Sequence, residues 1–151
     1  MKIICIGRNY LDHIKELNNH LQKEIIFFLK PETAIPIKNQ PFFIPDFSNE
    51  IHHEVEIVIK INRTGKFIQK IFSHKYYNNI SVGIDFTARD IQNEIKKRGL
   101  PWEKCKSFDG SAPIGKFIQK DDLKINNLDF ILKVNGEIKQ KGNSKNMIHN
   151  I

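Results

Sequence analysis

Ile51-His52-His53-Glu54-Val55-Glu56-Ile57-Val58-Ile59-Lys60-Ile61 is the stretch on which the reading of the fold turns. Side chains on a strand alternate between two faces, so Val55, Ile57, Ile59 and Ile61 share one face and Glu54, Glu56, Val58 and Lys60 the other. The first face is wholly apolar and belongs against a core. The second places two carboxylates side by side, close enough to interact. Like charges at that spacing are unfavourable unless something positive lies between them. A hard divalent cation with oxygen ligands would resolve the repulsion, and so would lysines on a solvated neighbouring strand. Spacing alone leaves both readings open. His52 and His53 are adjacent on the strand and point to opposite faces, so they cannot both serve one site.

Upstream, Lys2–Ile6 reads as a buried strand stopped by Gly7, and Asn9 as the cap of a helix beginning at Tyr10. His13 and Glu16 lie three apart on that helix, close enough for the carboxylate to orient the imidazole, although such pairs are common on helix surfaces. Ile25–Leu29 is a second strand, closed by Lys30-Pro31, and the connection from Pro31 to Pro45 has room for a short strand at Phe42–Ile44. Downstream, Ile71–Tyr77 reads as helical, Ser81–Phe86 as a strand, and Thr87–Lys97 as a helix stopped by Gly99 and Pro101. Asp85 stands between that strand and helix, where it either points into a site or caps the helix. Arg89 and Gln92 share one helix face. Asn135-Gly136 suits a type I′ turn joining Asp129–Val134 to Glu137–Lys141. The sum is an α+β chain, mostly β, read as one domain over 1–151.

The composition is that of an ordinary globular chain, with 40% hydrophobic and 27% charged residues. The formal net charge of +7 raises the question of nucleic acid. The lysines are scattered, however, dense only at Lys96-Lys97-Arg98 and across Lys133–Lys145, and no nucleic-acid motif accompanies them. No apolar run approaches the ~18 residues of a spanning helix, so no membrane is expected. Met1-Lys2 leads directly into a strand, which predicts no signal peptide. Cys5 and Cys105 match no metal or redox spacing and read as reduced thiols of a cytoplasmic protein.

Five ordered motifs carry a resemblance: Gly7-Arg8-Asn9-Tyr10 with His13 and Glu16; Phe28-Leu29-Lys30-Pro31; His52-His53-Glu54-Val55-Glu56; Gly83-Ile84-Asp85-Phe86-Thr87-Ala88-Arg89-Asp90 with Gln92; and Gly99-Leu100-Pro101-Trp102 with Lys106. In order and spacing they resemble the fumarylacetoacetate hydrolase family, in its small acylpyruvate hydrolase and oxaloacetate decarboxylase branch. The resemblance implies a mixed β-sheet roll with flanking helices, usually dimeric. It implies that Glu54, Glu56 and Asp85 hold Mg²⁺ or Mn²⁺, that His13 and Glu16 activate water, and that Lys106 contacts a small 2-oxo acid substrate. Arg89 and Gln92 become substrate-binding candidates.

The implied reaction is hydrolysis of the carbon–carbon bond of a 2,4-dioxo acid, in which enolate charge must be stabilised as it develops. Oxaloacetate decarboxylation and isomerisation of the 2-hydroxyhepta-2,4-diene-1,7-dioate type need the same stabilisation. One departure stands out. The family's Gly-rich loop, of the type Thr-Gly-Thr-Pro-x-Gly-Val-Gly, lies beyond the point matching Met147–Ile151. The expectation is a domain incomplete at its C-terminus, with an unpaired sheet edge and uncovered apolar surface. A non-catalytic remnant is the rival reading from another class.

Overall fold

Among the residues that the computed structural model describes (1–11, 24–38 and 40–151), the frame is seven strands and two α-helices. In chain order the strands are β1 (Ile3–Gly7), β2 (Ile26–Lys30), β3 (Ile51–Ile61), β4 (Tyr77–Ala88), β5 (Ile118–Gln119), β6 (Asp129–Val134) and β7 (Glu137–Asn143). The helices are α1 (Arg89–Arg98) and α2 (Glu103–Lys106). β1 pairs with β2, β3 with β4 and β4 with β5, and β6 with β7, all antiparallel. The α+β, mostly β class expected from the sequence is what the chain adopts. The helix read from Tyr10, with His13 and Glu16, falls on 12–23, outside the described residues. Among the described residues no helix is long and apolar enough to cross a membrane.

β3 spans Ile51–Ile61, as its alternation predicts. β4 is longer than the expected Ser81–Phe86 because β3 offers it partners from Ile51↔Ala88 to Ile61↔Tyr77. That pairing draws Asn78 and Asn79, poor strand formers, into the strand. The same ladder keeps Thr87 and Ala88 extended, so α1 starts at Arg89 and not at Thr87. Asp85 therefore sits within the ladder, opposite Glu54, and the helix-capping reading of it fails: the N-cap is Ala88. Two other expectations are corrected. Phe42–Ile44 forms no strand; Pro41 and Pro45 flank it, and the Phe42 ring instead stacks on Phe86 at 4.0 Å and 12°. Ile71–Tyr77 is a 3-10 helix over Lys70–Lys75.

Asp90 anchors the start of α1. Its carboxylate accepts hydrogen bonds from Ser48 Oγ at 2.6 Å, Asn49 N at 2.9 Å and Ile91 N at 2.8 Å. The helix ends at Gly99, whose φ of 63° is left-handed, with Leu100 N donating to Ile95 O at 3.1 Å. Asn135 and Gly136 turn the β6–β7 hairpin with φ of 52° and 85°. Behind the central ladder, Ala88, Ile95 and Cys105 form a small core with Ile51, Ile91, Trp102 and Phe108 packed against it. β1–β2 turns Phe28 and Lys30 inward and leaves Ile4 61% and Phe27 66% exposed, so β1, expected as a buried strand, is covered on one face only.

The Ser48 hydroxyl and then the Asn49 amide hold the Asp90 carboxyl below the ordinary carboxylate range. A depressed folded pKa stabilises above the unfolded value, about 3.9, and the contribution is lost as pH falls through the folded one. Asp90→Ala is expected to lower the melting temperature by a few degrees at pH 7. The gap from wild type should begin to narrow below about pH 4 and close as pH falls through the lower folded value. Calorimetric melts across pH 3 to 7 check this, and a gap independent of pH would refute the charged anchor.

Candidate metal centre and substrate cleft

Glu54 on β3 and Asp85 on β4 are direct cross-strand partners, and Glu56 follows on the same face opposite Gly83. Gly83 is required there, because a Cβ would lie 2.9 Å from Val58 Cγ2 and 3.0 Å from the Pro113 carbonyl oxygen. The ladder thus sets two carboxylates opposite one another by register and a third on the same face by alternation.

Cations answer them from three sides. α2 follows the sharp stop at Gly99 and delivers Lys106, which is only 2% exposed. Its ammonium donates to Glu54 Oε2 at 2.8 Å, Asp85 Oδ2 at 2.6 Å and Thr87 Oγ1 at 2.6 Å, using all three hydrogens. Burial opposes that charge, but Asp85 and Glu54 outweigh it and hold the lysine above its ordinary pKa. Lys30, at the end of β2, is equally buried. It donates to Ser111 O at 2.8 Å, Ser111 Oγ at 3.0 Å and Phe86 O at 3.3 Å. Its Nζ also lies 2.8 Å from Asp85 Oδ1, a charge contact without hydrogen-bond alignment. Burial holds the Lys30 pKa below the ordinary range against the attraction of Asp85. From α1, Arg89 pairs with Glu54 and donates to Gln92, and its Nε reaches His52 Nδ1 at 3.2 Å. Ser111, fully buried, links the two lysines: it accepts from Lys30 and donates to Lys106 O at 2.8 Å.

Two features of this cluster fit a hard divalent cation. Asp85 Oδ1 is buried and faces the Lys30 ammonium at 2.8 Å without an aligned hydrogen bond, so its lone pairs are not fully taken up. Burial, then the charges of Asp85 and Glu54, push the Glu56 carboxyl up to about 8 against the pull of Lys106, so the cluster still lacks positive charge on that side. All-carboxylate oxygen donors are the set that Mg²⁺ and Mn²⁺ take. Among the described residues the three carboxylates do not already converge as a closed coordination shell, because the Lys106 ammonium stands between two of them.

Of the residues singled out in the sequence, Glu54, Glu56, Asp85, Arg89, Gln92 and Lys106 line one cleft. His13 and Glu16 lie outside the described residues. Sequence reasoning assigned no role to Lys30, Ser111, Arg8, Lys96 or Trp102. Lys30 and Arg8 stood inside the quoted motifs, and a lysine closing an otherwise apolar strand was the available signal. Cys5 lies close enough to feel the charge of Asp85, and burial pushes its thiol up to about 12, so it stays protonated.

Comparison with known proteins places this geometry. Residues 2–151 match the family described as fumarylacetoacetate (FAA) hydrolase, C-terminal. The mitochondrial oxaloacetate tautomerase of Rattus norvegicus is 39% identical over 150 residues, covering 99% of this chain and 68% of the relative. A crystal structure of a fumarylacetoacetate hydrolase family protein from Yersinia pestis CO92 superposes with a TM-score of 0.92 at 40% identity, over 97% of this chain and 68% of that one. The fumarylpyruvate hydrolase of Pseudomonas aeruginosa, crystallised with Mn²⁺ and pyruvate, gives a TM-score of 0.89 at 30% identity, over 98% and 66%. With its fold, its motif order and its sequence matched over nearly its whole length, the chain belongs to the fumarylacetoacetate hydrolase family.

Proposed function

We propose that this chain acts on small 2-oxo acids with the help of Mg²⁺ or Mn²⁺, hydrolysing the carbon–carbon bond of acylpyruvate-like 2,4-dioxo acids. The observation that carries the reading is the cross-strand pair Glu54–Asp85 with Glu56 beside it, walled in by Lys30, Lys106 and Arg89. Glu54, Glu56 and Asp85 would hold the cation, which when bound supplies Lewis-acid stabilisation of the charge developing on the 2-oxo oxygen. Lys106 presents an ammonium at the same spot, and a substrate oxygen entering the cleft gives its hydrogens a new acceptor. Arg89 is held by Gln92 and Glu54, so its planar fork stays in one orientation beside the substrate. Buried side chains around the lysines keep water from the reacting carbon. His13, oriented by Glu16, takes the proton of the attacking water.

A second reading is favoured by the relative named oxaloacetate tautomerase. Moving a proton beside a 2-oxo group, or losing carbon dioxide from oxaloacetate, needs the same charge stabilisation and no attacking water. The two readings therefore share the carboxylates and Lys106, and part company at His13.

Three outcomes are expected. Saturating Mn²⁺, at ~100 times its dissociation constant, adds about 2.7 kcal/mol to folding stability, and Glu56→Gln removes most of that gain. Urea titrations with Mn²⁺ or with a chelator measure it, and a transition indifferent to metal would sink the metal site. Lys106→Met leaves two buried carboxylates short of a cation and costs on the order of 3 kcal/mol without metal. Mn²⁺ restores much of the loss, since a second cation then faces the same oxygens; a loss that metal leaves untouched would mean the lysine is a packing residue only. His13→Ala slows acylpyruvate hydrolysis about 10²–10⁴-fold and leaves oxaloacetate turnover far less affected. Equal losses on both substrates in steady-state assays would rule out this division of labour.

A further inference from the structure

Every residue from Lys60 to Lys75, the end of β3 and most of its connection to β4, is exposed. Polar residues suit such a position, yet this stretch is apolar and basic. Phe67 is 91% and Ile71 69% exposed, and Ile61, Ile68 and Phe72 are bare in the same stretch. Exposed apolar residues scattered singly need no explanation, whereas a concentration of them marks an interaction surface. Phe67 is moreover held at φ 55°, a left-handed conformation that a bulky side chain occupies only under strain. The turn before it is tight: a Cβ on Gly65 would come 2.6 Å from Tyr76 Cε1 and 2.7 Å from Ile68 Cδ1. The connection is thus fixed against Tyr76 and Ile68 while the Phe67 ring stays in solvent.

Cations alternate with these side chains. Arg63, Lys66, Lys70 and Lys75 stand in the connection, and between Glu56 and Asp85 the sequence has no acidic residue. Among the described residues none of the four enters an ion pair. Three of them lie over local rings instead: Arg63 over Tyr76 at 5.8 Å, Lys66 over Phe67 at 5.1 Å and Lys75 over Phe72 at 5.0 Å. Pairing with β4 brings β5 alongside, and Lys120 after it donates to His74 O and lies over Tyr77 at 4.8 Å. Asp121 and Asp122, directly after Lys120, set the acidic limit on that side. On the β6–β7 hairpin, by contrast, Lys139 is paired with Glu137 at 2.7 Å.

We propose that the β3–β4 connection is a docking surface for an anionic lipid membrane. Phe67, Ile68, Ile71 and Phe72 enter the headgroup layer, and Arg63, Lys66, Lys70 and Lys75 meet the lipid anions. Charge complementarity selects the partner. Unneutralised cations call for an anionic surface, and bare Ile and Phe side chains for one that also accepts aliphatic groups. A nucleic acid backbone supplies the first and not the second. A second copy of this chain, apposed through the same patch, brings like charge to it. An anionic bilayer surface supplies both. That no helix among the described residues can cross a membrane bears on spanning, and this contact is with one leaflet. Ile61 is seven residues along β3 from Glu54, roughly 23 Å at the rise of a strand. Docking at the patch and chemistry at the cleft are therefore separable.

The test is co-sedimentation of the purified chain with vesicles of phosphatidylcholine carrying one third phosphatidylserine, beside vesicles of phosphatidylcholine alone. Wild type is expected to bind the anionic vesicles, to bind the neutral ones far less, and to be released as salt rises. A lysine at such a surface is worth about fivefold in partition, so Lys66→Gln with Lys70→Gln lowers binding about 25-fold. Phe67→Asn lowers it severalfold. Asparagine tolerates the left-handed backbone, so this variant keeps the fold and melts no lower than wild type. Lys139→Gln with Lys141→Gln removes the same charge from the β6–β7 hairpin and leaves binding nearly unchanged. Equal losses in the two lysine pairs would make the attraction a matter of net charge and overturn the surface. Equal binding to both kinds of vesicle, or binding to neither, overturns it as well. A short DNA duplex bound, or a concentration-dependent dimer formed, through Phe67 while vesicles are ignored would assign the patch to that partner instead.

Discussion

Glu54 and Asp85 face one another across the central ladder, and two carboxylates in that position repel unless cations stand among them. The cations come from separate parts of the chain: Lys30 from the β1–β2 pair, Arg89 from α1 and Lys106 from α2. Glu54 and Lys106 are 52 residues apart in sequence, and Lys30 and Ser111 are 81 apart. The repulsion, once answered, is thus where the elements around the cleft are tied together. Breaking a buried ion pair costs more than forming it returns, because the survivor is left desolvated and unmatched. Each cation is held in place by the loss that its departure would cause.

The legible parts of the fold were those set by local pattern. The alternation of Val55, Ile57, Ile59 and Ile61 gave β3 to the residue, Asn135-Gly136 gave the hairpin, and Gly99 gave the end of α1. What pattern could not give was partnership. Asn78 and Asn79 enter β4 only because β3 extends alongside them, and Phe42 abandons strand geometry for the face of Phe86. The same division holds for the site. Glu54 and Glu56 share a face by periodicity alone, but that Asp85 meets Glu54 depends on the register of two strands joined by a long connection. Lys30 was harder still. Its sequence context is that of a strand end, and its inward turn toward Asp85 follows from the pleat of a sheet whose other face is bare.

The cleft is asymmetric in charge. Its carboxylates are gathered on one ladder, while arginines and lysines come in from loops and helices around it. Ser111 and Thr87, both fully buried, fix those lysines through backbone-anchored hydroxyls, so their charges are positioned before any ligand arrives. Fixed charges of this kind need no reorganisation when charge develops on a bound oxygen. This chain spans about two thirds of the relatives it matches, and the whole of the Lys30–Glu54–Asp85–Lys106 network lies inside that span.

The cross-strand carboxylates also bear on the order of folding. β3 and β4 are neighbours in the chain and pair along their whole length, so their ladder is the first large element that local contacts can assemble. Its centre, however, sets carboxylate against carboxylate, and the cations that reconcile them arrive from residue 30 on one side and residues 89 and 106 on the other. During synthesis, 21 residues beyond Asp85 must emerge before Lys106 can reach it. The hairpin in isolation carries a like-charge penalty of up to about 1 kcal/mol, which the closing long-range elements remove. Its charges therefore reserve part of the central ladder's stability for the state in which the flanking elements are docked.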